Sequence, residues 1–91
     1  MKKVLILGAG LSGIGSAELA KRNSFDILLS ESNEIDAKIK SKLKKLDIEF
    51  EENSHTNAKT YSADLVIKSP GIPDESDIIN SLSKKDLSII S

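Results

Sequence analysis

Short apolar runs alternate with amphipathic stretches along the whole chain. Five runs rich in Val, Ile, Leu and Phe predict strands at 4–7, 25–30, 48–51, 65–67 and 87–90. Between them, apolar residues recur every three or four positions. This spacing predicts helices over 12–22, 34–46 and 75–84, with a single helical turn near 58–61. Strands that alternate with helices over short connections predict a parallel sheet with helices on both faces.

The predicted element order is βαβαβ(α)βαβ, and right-handed crossovers leave few arrangements for such strands. We expect the strand order 3-2-1-4-5. The fold class is therefore α/β: a Rossmann-like three-layer fold with a five-stranded parallel sheet. The 91 residues match the size of a single domain, and we interpret 1–91 as one unit.

The second and fourth helices have recognisable start signals. Ser32 or Asn33 is expected to cap a helix that begins at Glu34, and Asp74 to cap one that begins at Glu75, because short polar side chains accept bonds from the first helical N–H groups. Acidic residues open the second helix and lysines close it, which matches the helix dipole.

The motif Gly8-x-Gly10-x-x-Gly13 follows the first strand and opens the first helix. Gly8 allows a tight turn, Gly10 lets the backbone approach a phosphate, and Gly13 lets the helix pack closely on the sheet. Free N–H groups at the helix start, together with the helix dipole, favour an anion there. The motif predicts a phosphate-bearing ligand, and its alternative interpretation is a glycine turn that only packs a helix onto the sheet.

Two further loops are expected at the same edge of the sheet, where open α/β sheets bind their ligands. Glu31, 23 positions beyond Gly8, can accept hydrogen bonds from ribose hydroxyls or from the N3–H of uracil. In the loop 69–73, Ser69 offers a hydroxyl, Gly71 a close backbone approach, and two prolines a fixed shape. The alternatives are a solvated acid for Glu31 and a rigid connector for the loop.

Composition excludes several classes of function. Thirteen basic and fourteen acidic residues give a net charge of −1, without the basic, aromatic-rich stripe of a nucleic-acid-binding protein. The absence of cysteine excludes disulfides and thiolate metal sites, and agrees with a cytoplasmic location. We expect no signal peptide and no membrane span. His55 is the single histidine and has no partners at ligand spacing, so we assign it no catalytic or metal-binding role.

Two motifs together resemble a known family. The Gly8–Gly13 loop, with Ala63-Asp64 leading a strand into Ser69-Pro70-Gly71-Ile72-Pro73, is similar to the N-terminal domain of the Mur ligases over essentially all 91 residues. The resemblance is greatest to the branch that adds D-glutamate to UDP-N-acetylmuramoyl-L-alanine. It implies a ligase of peptidoglycan precursor synthesis.

The resemblance also implies a set of substrate-binding residues. Leu11 and Ser12 would lie against the UDP diphosphate, Glu31 at the uracil end, and the Ser-Pro-Gly run on the opposite side of the nucleotide. Glu31 replaces the commoner aspartate, and Asn33 stands where some members carry a basic residue. The implied set is Gly10, Leu11, Ser12, Gly13, Glu31, Ser32, Asn33, Ser69, Pro70 and Gly71.

By the same resemblance, the full-length parent uses ATP and Mg²⁺ to activate the substrate carboxylate. The chain lacks a Gly-x-x-Gly-Lys-Ser/Thr loop. We therefore expect a fragment that holds UDP-N-acetylmuramoyl-L-alanine and contacts the remaining ligase domains, but has no catalytic residue, metal or cofactor of its own. The alternatives are an NAD-binding Rossmann module, regulatory or part of an oxidoreductase, and a structural unit that binds nothing.

Overall fold

The computed structural model describes residues 2–69, 72, 76–85 and 88–90. Within these residues the chain forms five strands and four helices. In chain order they are β1 Lys3–Leu7, α1 Leu11–Arg22, β2 Asp26–Ser30, α2 Ala37–Lys45, β3 Glu49–Glu51, α3 Thr56–Thr60, β4 Leu65–Lys68, α4 Asp77–Ser83 and β5 Ser88–Ile90. All strand pairs are parallel, in the order β3-β2-β1-β4-β5, which confirms the predicted topology.

The central strand β1 is buried on both faces of the sheet. Val4 and Ile6 pack into one apolar cluster with residues of α1 and α2. Leu5 and Leu7 pack into a second cluster with α3 and α4. Burying one such side chain contributes about 1.5–3 kcal/mol, which explains why β1 is apolar without alternation. No helix in the described part of the chain has the length and apolar character that crossing a bilayer requires.

The start of α2 differs from the prediction. The helix begins at Ala37 rather than Glu34, and its cap is Asp36, whose Oδ2 accepts a hydrogen bond from the Lys38 N–H at 3.1 Å. Ser32 and Asn33 do not cap it. The reason is Ile35, which is only 2% exposed and donates its N–H to Glu52 Oε1 at 2.9 Å, so the chain ahead of Asp36 is held outside the helix.

The start of α4 also lies later than predicted. The helix begins at Asp77, after Ser76 in an extended conformation (φ −65°, ψ 155°), and Ser76 makes no side-chain cap. The predicted cap Asp74 lies outside the described residues, as does Leu87 of the last predicted strand. The helical turn expected near 58–61 forms as α3 over Thr56–Thr60.

Candidate functional site

A cleft of about 410 Å³ lies at the edge of the sheet where the parallel strands end. The connections that follow β1, β2, β3 and β4 all contribute to it. Because the strand order reverses beside β1, this is the position at which open α/β sheets bind ligands. Its lining residues are Gly8, Ala9, Gly10, Glu31, Ser32, Asn33, His55, Ser69, Ile72, Ser76, Asp77 and Ile78.

The turn from β1 into α1 forms one wall of this cleft. Gly8 has φ +107°, which favours glycine, and its N–H donates to the Ser30 carbonyl at 2.9 Å. A Cβ on Gly13 would lie 2.1 Å from the Gly8 carbonyl oxygen, so only glycine allows the helix to pack this closely on the turn. A Cβ on Gly10 would meet nothing within 4 Å. Gly8 and Gly13 therefore fix the turn, and Gly10 leaves space beside it.

The start of α1 is open. Gly10 is its N-cap and provides no side-chain bond, and the first intrahelical bond runs from the Ile14 N–H to the Gly10 carbonyl at 3.0 Å. The N–H groups of Leu11, Ser12 and Gly13 have no bonding partner among the described residues. Unpaired N–H groups and the dipole of a 12-residue helix make this end electropositive. The site can therefore hold an anion.

Glu31 joins the connection after β2 to the glycine turn. Its Oε1 accepts a hydrogen bond from the Ala9 N–H and its Oε2 one from the Asn33 N–H, both at 2.9 Å. Each carboxylate oxygen keeps a second lone pair, so Glu31 can also accept a bond from a ligand. Glu31 therefore links the connections after β1 and β2, and it remains a hydrogen-bond acceptor within the cleft.

Hydrogen bonds to β1 and within the loop itself fix the connection after β4. The Ser69 N–H donates to the Leu7 carbonyl at 2.9 Å, and the Ser69 carbonyl accepts from the Ile72 N–H at 3.0 Å. Lys68 is buried, and its Nζ donates to the Ile72 carbonyl at 3.1 Å. These bonds place Ser69 and Ile72 at the cleft.

Ser76 lines the cleft and carries a buried hydroxyl. Its Oγ is buried and has no hydrogen-bond partner among the residues that the structure describes. Buried polar groups are nearly always bonded, because an unpaired one costs about 1–3 kcal/mol. The Oγ has less than 1 Å² of exposed surface, so a ligand in the cleft would reach it only after the side chain rotates.

His55 is a cleft residue that the sequence interpretation missed. Its Nδ1 lies 2.6 Å from the Oγ of the buried Ser30, which donates to Glu51 Oε2 at 2.8 Å. Glu51 Oε2 also accepts from the Ala58 N–H at 2.8 Å, at the start of α3. The available signal was position: His55 follows β3, so its loop ends at the same edge of the sheet as the other three.

The structure brings half of the predicted site residues into the cleft, and it places the others elsewhere or does not describe them. Leu11 is 93% exposed and Ser12 is exposed, and both lie at the open helix start without lining the cleft. Gly13 is buried under Gly8. Pro70 and Gly71 lie outside the described residues. No group of three or more acidic or histidine side chains in the described ranges could hold a metal ion. The predicted residues that line the cleft are Gly10, Glu31, Ser32, Asn33 and Ser69.

The parallel sheet, the open start of α1 and the cleft at the strand ends define a Rossmann-like α/β domain with an anion-accepting site. Within that class the sequence identifies a particular family. A family model described as the MurD N-terminal domain matches residues 3–78, and the chain belongs to that family.

Proteins similar to this chain are named as ligases. It is 49% identical over 90 residues to the UDP-N-acetylmuramoylalanine--D-glutamate ligase of Christiangramia forsetii and 44% identical over 91 residues to that of Bacteroides fragilis. These alignments cover 99% and 100% of the chain, which spans about a fifth of the length of either relative (20%). The crystal structure of a murein peptide ligase from Psychrobacter arcticus superimposes with a TM-score of 0.88 at 22% identity. It covers 100% of this chain and 19% of that one, and supports the fold.

Proposed function

We propose that residues 1–91 are the N-terminal substrate-binding domain of a ligase that adds D-glutamate to UDP-N-acetylmuramoyl-L-alanine in cytoplasmic peptidoglycan precursor synthesis. The observation that carries this proposal is the uncapped start of α1 beside the cleft at the strand ends. Membership of the MurD N-terminal domain family and the names of the relatives support the choice of ligand.

In this proposal the diphosphate lies at the start of α1. The N–H groups of Leu11, Ser12 and Gly13 donate to its oxygens, and Gly10 leaves the space that the phosphate needs. Ser69 also lines the cleft, and its hydroxyl can donate to the ligand.

The nucleoside then extends along the sheet edge towards β2 and β3. Glu31, Ser32 and Asn33 line that part of the cleft and offer acceptors and donors to the ribose and uracil. Pro70 and Gly71 complete the proposed set through the family resemblance alone.

The chemistry of amide-bond formation belongs to the rest of the parent protein. The 91 residues contain no Gly-x-x-Gly-Lys-Ser/Thr loop, and the proposal therefore assigns ATP and Mg²⁺ to the parent's other domains. We assign this chain no catalytic residue. Its contribution is to hold and orient the UDP-linked substrate for the parent's other domains.

A titration followed by ¹H–¹⁵N NMR tests the proposal. UDP-N-acetylmuramoyl-L-alanine should shift the amide signals of Gly10, Ser12 and Asn33, while NAD at equal concentration leaves them in place. Shifts caused by NAD alone would instead support a dinucleotide-binding module. No shift with either ligand would favour a domain that binds nothing.

A matched pair of valine substitutions separates loss of the site from loss of the fold. Gly10→Val places a branched side chain beside the helix start, where a Cβ would meet nothing within 4 Å, and the backbone there (φ −79°, ψ −172°) suits a branched residue. We expect it to weaken binding at least about tenfold, the equivalent of roughly 1.4 kcal/mol. Gly15→Val, in similarly open space on α1, is the control and should bind normally. Equal affinity of the two variants would contradict the proposed phosphate position.

A further inference from the structure

The two faces of the sheet are covered unequally over β4 and β5. The strand register aligns Ile6, Ile67 and Ile90 in one row, on the face that carries α1 and α2. Along this row the exposed fraction of the side chain rises from 0% at Ile6 to 50% at Ile90, and Ile67 between them is half-buried. On the opposite face, α4 packs against β4 and buries Val66 completely. The α1 face is therefore left partly uncovered over β4 and β5.

A groove of about 170 Å³ lies along this uncovered strip, between α1 and β4. Leu65 and Ile67 of β4 form its floor. One stripe of α1 forms its wall, because the α1 residues that line the groove are spaced three or four positions apart. Within this stripe Leu19 is 62% exposed, whereas Ser16 and Ala20 are small. Small side chains let a second helix pack close to the first, so the groove suits a helix lying beside α1.

The handedness of the fold indicates which element reaches this strip. In right-handed crossovers, the direction in which the chain moves across the sheet decides the face on which the helix packs. Here α1 and α2 lead towards β3 and pack on one face, whereas α4 leads towards β5 and packs on the other. Because β5 lies at the edge of the described sheet, a helix that follows it and returns over the sheet moves towards β3. The same handedness puts that helix on the α1 face, over β4.

We propose that this groove is the docking site of an amphipathic helix that follows β5 in the parent protein, with its apolar stripe on Leu19, Ile67 and Ile90. The chain spans 20% of the length of its relatives, and its family model describes an N-terminal domain, so the greater part of the parent follows these residues. Helices cover both faces of a parallel sheet, and this one would complete the α1 face. The inference is independent of what the cleft binds, because the groove and the cleft share no lining residue.

Methyl NMR with a water-soluble paramagnetic agent tests the inference. We compare the 91 residues with the same chain extended by about 20 residues of the parent's own sequence, enough for a short connection and a helix of about four turns. In the longer chain the agent should broaden the methyl signals of Leu19 and Ile90 severalfold less. Leu11, which is as apolar and lies on the same helix but outside the groove, should be broadened equally in both chains. Unchanged broadening of Leu19 and Ile90 would overturn the proposal, and so would protection in the shorter chain that grows with its concentration, because a second copy would then occupy the groove.

A matched pair of glutamine substitutions locates the contact by its effect on stability. The extension should raise the folded-to-unfolded ratio of the wild type at least about tenfold, the effect of burying one large apolar side chain. In Leu19→Gln this gain should be at least about threefold smaller. Leu11→Gln makes the same change at an exposed position outside the groove and should keep the full gain. Urea unfolding of the six proteins measures the three gains. Equal gains in all three would show that the extension packs elsewhere, and no gain in the wild type would show that it does not dock; either result contradicts the proposal.

Discussion

The two connections that follow β1 and β2 lead from neighbouring strands into helices on the same face of the sheet. The first leaves the start of its helix without a side-chain cap, whereas the second caps it. The connection 8–10 ends at Gly10, which leaves the start of α1 uncapped. The connection 31–36 ends at Asp36, whose carboxylate closes the start of α2 by accepting from Lys38. A strand–helix unit therefore offers an anion site only where no side chain of its own occupies the helix start.

Carboxylates also bond to the backbone of the second connection. Glu31 accepts from the Asn33 N–H, and Glu52 accepts from the Ile35 N–H at 2.9 Å and pairs with Lys40 at 2.9 Å. These acids satisfy backbone donors that would otherwise be free. Among the described residues the first connection has one such bond, from Ala9 to Glu31, and the three donors at the start of α1 have no partner there.

The largest effect is expected from Gly13→Ala, which would break the first connection. The added Cβ would lie 2.1 Å from the Gly8 carbonyl oxygen, a backbone atom that cannot move without displacing the turn. We expect the free energy of unfolding to fall by more than about 3 kcal/mol. Urea unfolding followed by circular dichroism measures it. Gly15→Ala is the control, which should raise stability by up to about 1 kcal/mol because alanine favours a helix. A Gly13→Ala variant as stable as the wild type would show that the turn is not fixed by this contact.

The next effect comes from Gly10→Asp, which would give α1 the kind of cap that α2 has. The new carboxylate can accept from the N–H groups that face the proposed phosphate, and its charge repels that phosphate. We expect at least about tenfold weaker binding of UDP-N-acetylmuramoyl-L-alanine, with a change in stability of only a few tenths of a kcal/mol. Calorimetry or NMR titration supplies the affinity. The same charge placed at Gly15→Asp should leave binding nearly unchanged, and equal losses in the two variants would indicate only long-range repulsion.

The features that could be predicted from the sequence are those set by local chemistry and chain topology. The strand order follows from alternating strands and helices, and the roles of Gly8 and Gly13 follow from a tight turn into a packed helix. The features that were missed depend on contacts between distant residues. The start of α2 depends on a bond from Ile35 to Glu52, 17 positions away, and the place of His55 depends on Ser30, 25 positions away. Periodicity along the chain does not report such contacts.

A smaller effect is expected from Asp36→Ala, the reverse change at the second connection. Removing the cap leaves the Lys38 N–H unpaired, which should lower the free energy of unfolding by about 1 kcal/mol. Because Asp36 lies outside the cleft, ligand affinity should not change. Urea unfolding and the UDP titration, run on the same sample, check both statements. A loss of affinity would mean that the two connections are coupled and that the contrast between them is wrong.

The smallest effect is a pH dependence confined to the second connection. The Ile35 N–H bond lowers the pKa of the Glu52 carboxyl below its ordinary value of 4.5, and the Lys40 ammonium adds to this. A carboxyl whose pKa is lower in the folded state stabilises the protein above its ordinary pKa, and this contribution is lost as the pH falls through the lowered value. The Ile35 amide signal should therefore shift on acidification with a midpoint below pH 4.5, and Glu52→Gln should abolish the shift. The amide signals of Leu11 and Ser12 should show no matching transition, because no carboxylate of the described residues caps α1. The same pH midpoint for the amide signals of both connections would mean that the whole domain unfolds in acid. A shift of the Ile35 signal alone would locate the pH dependence in the second connection, which a carboxylate holds.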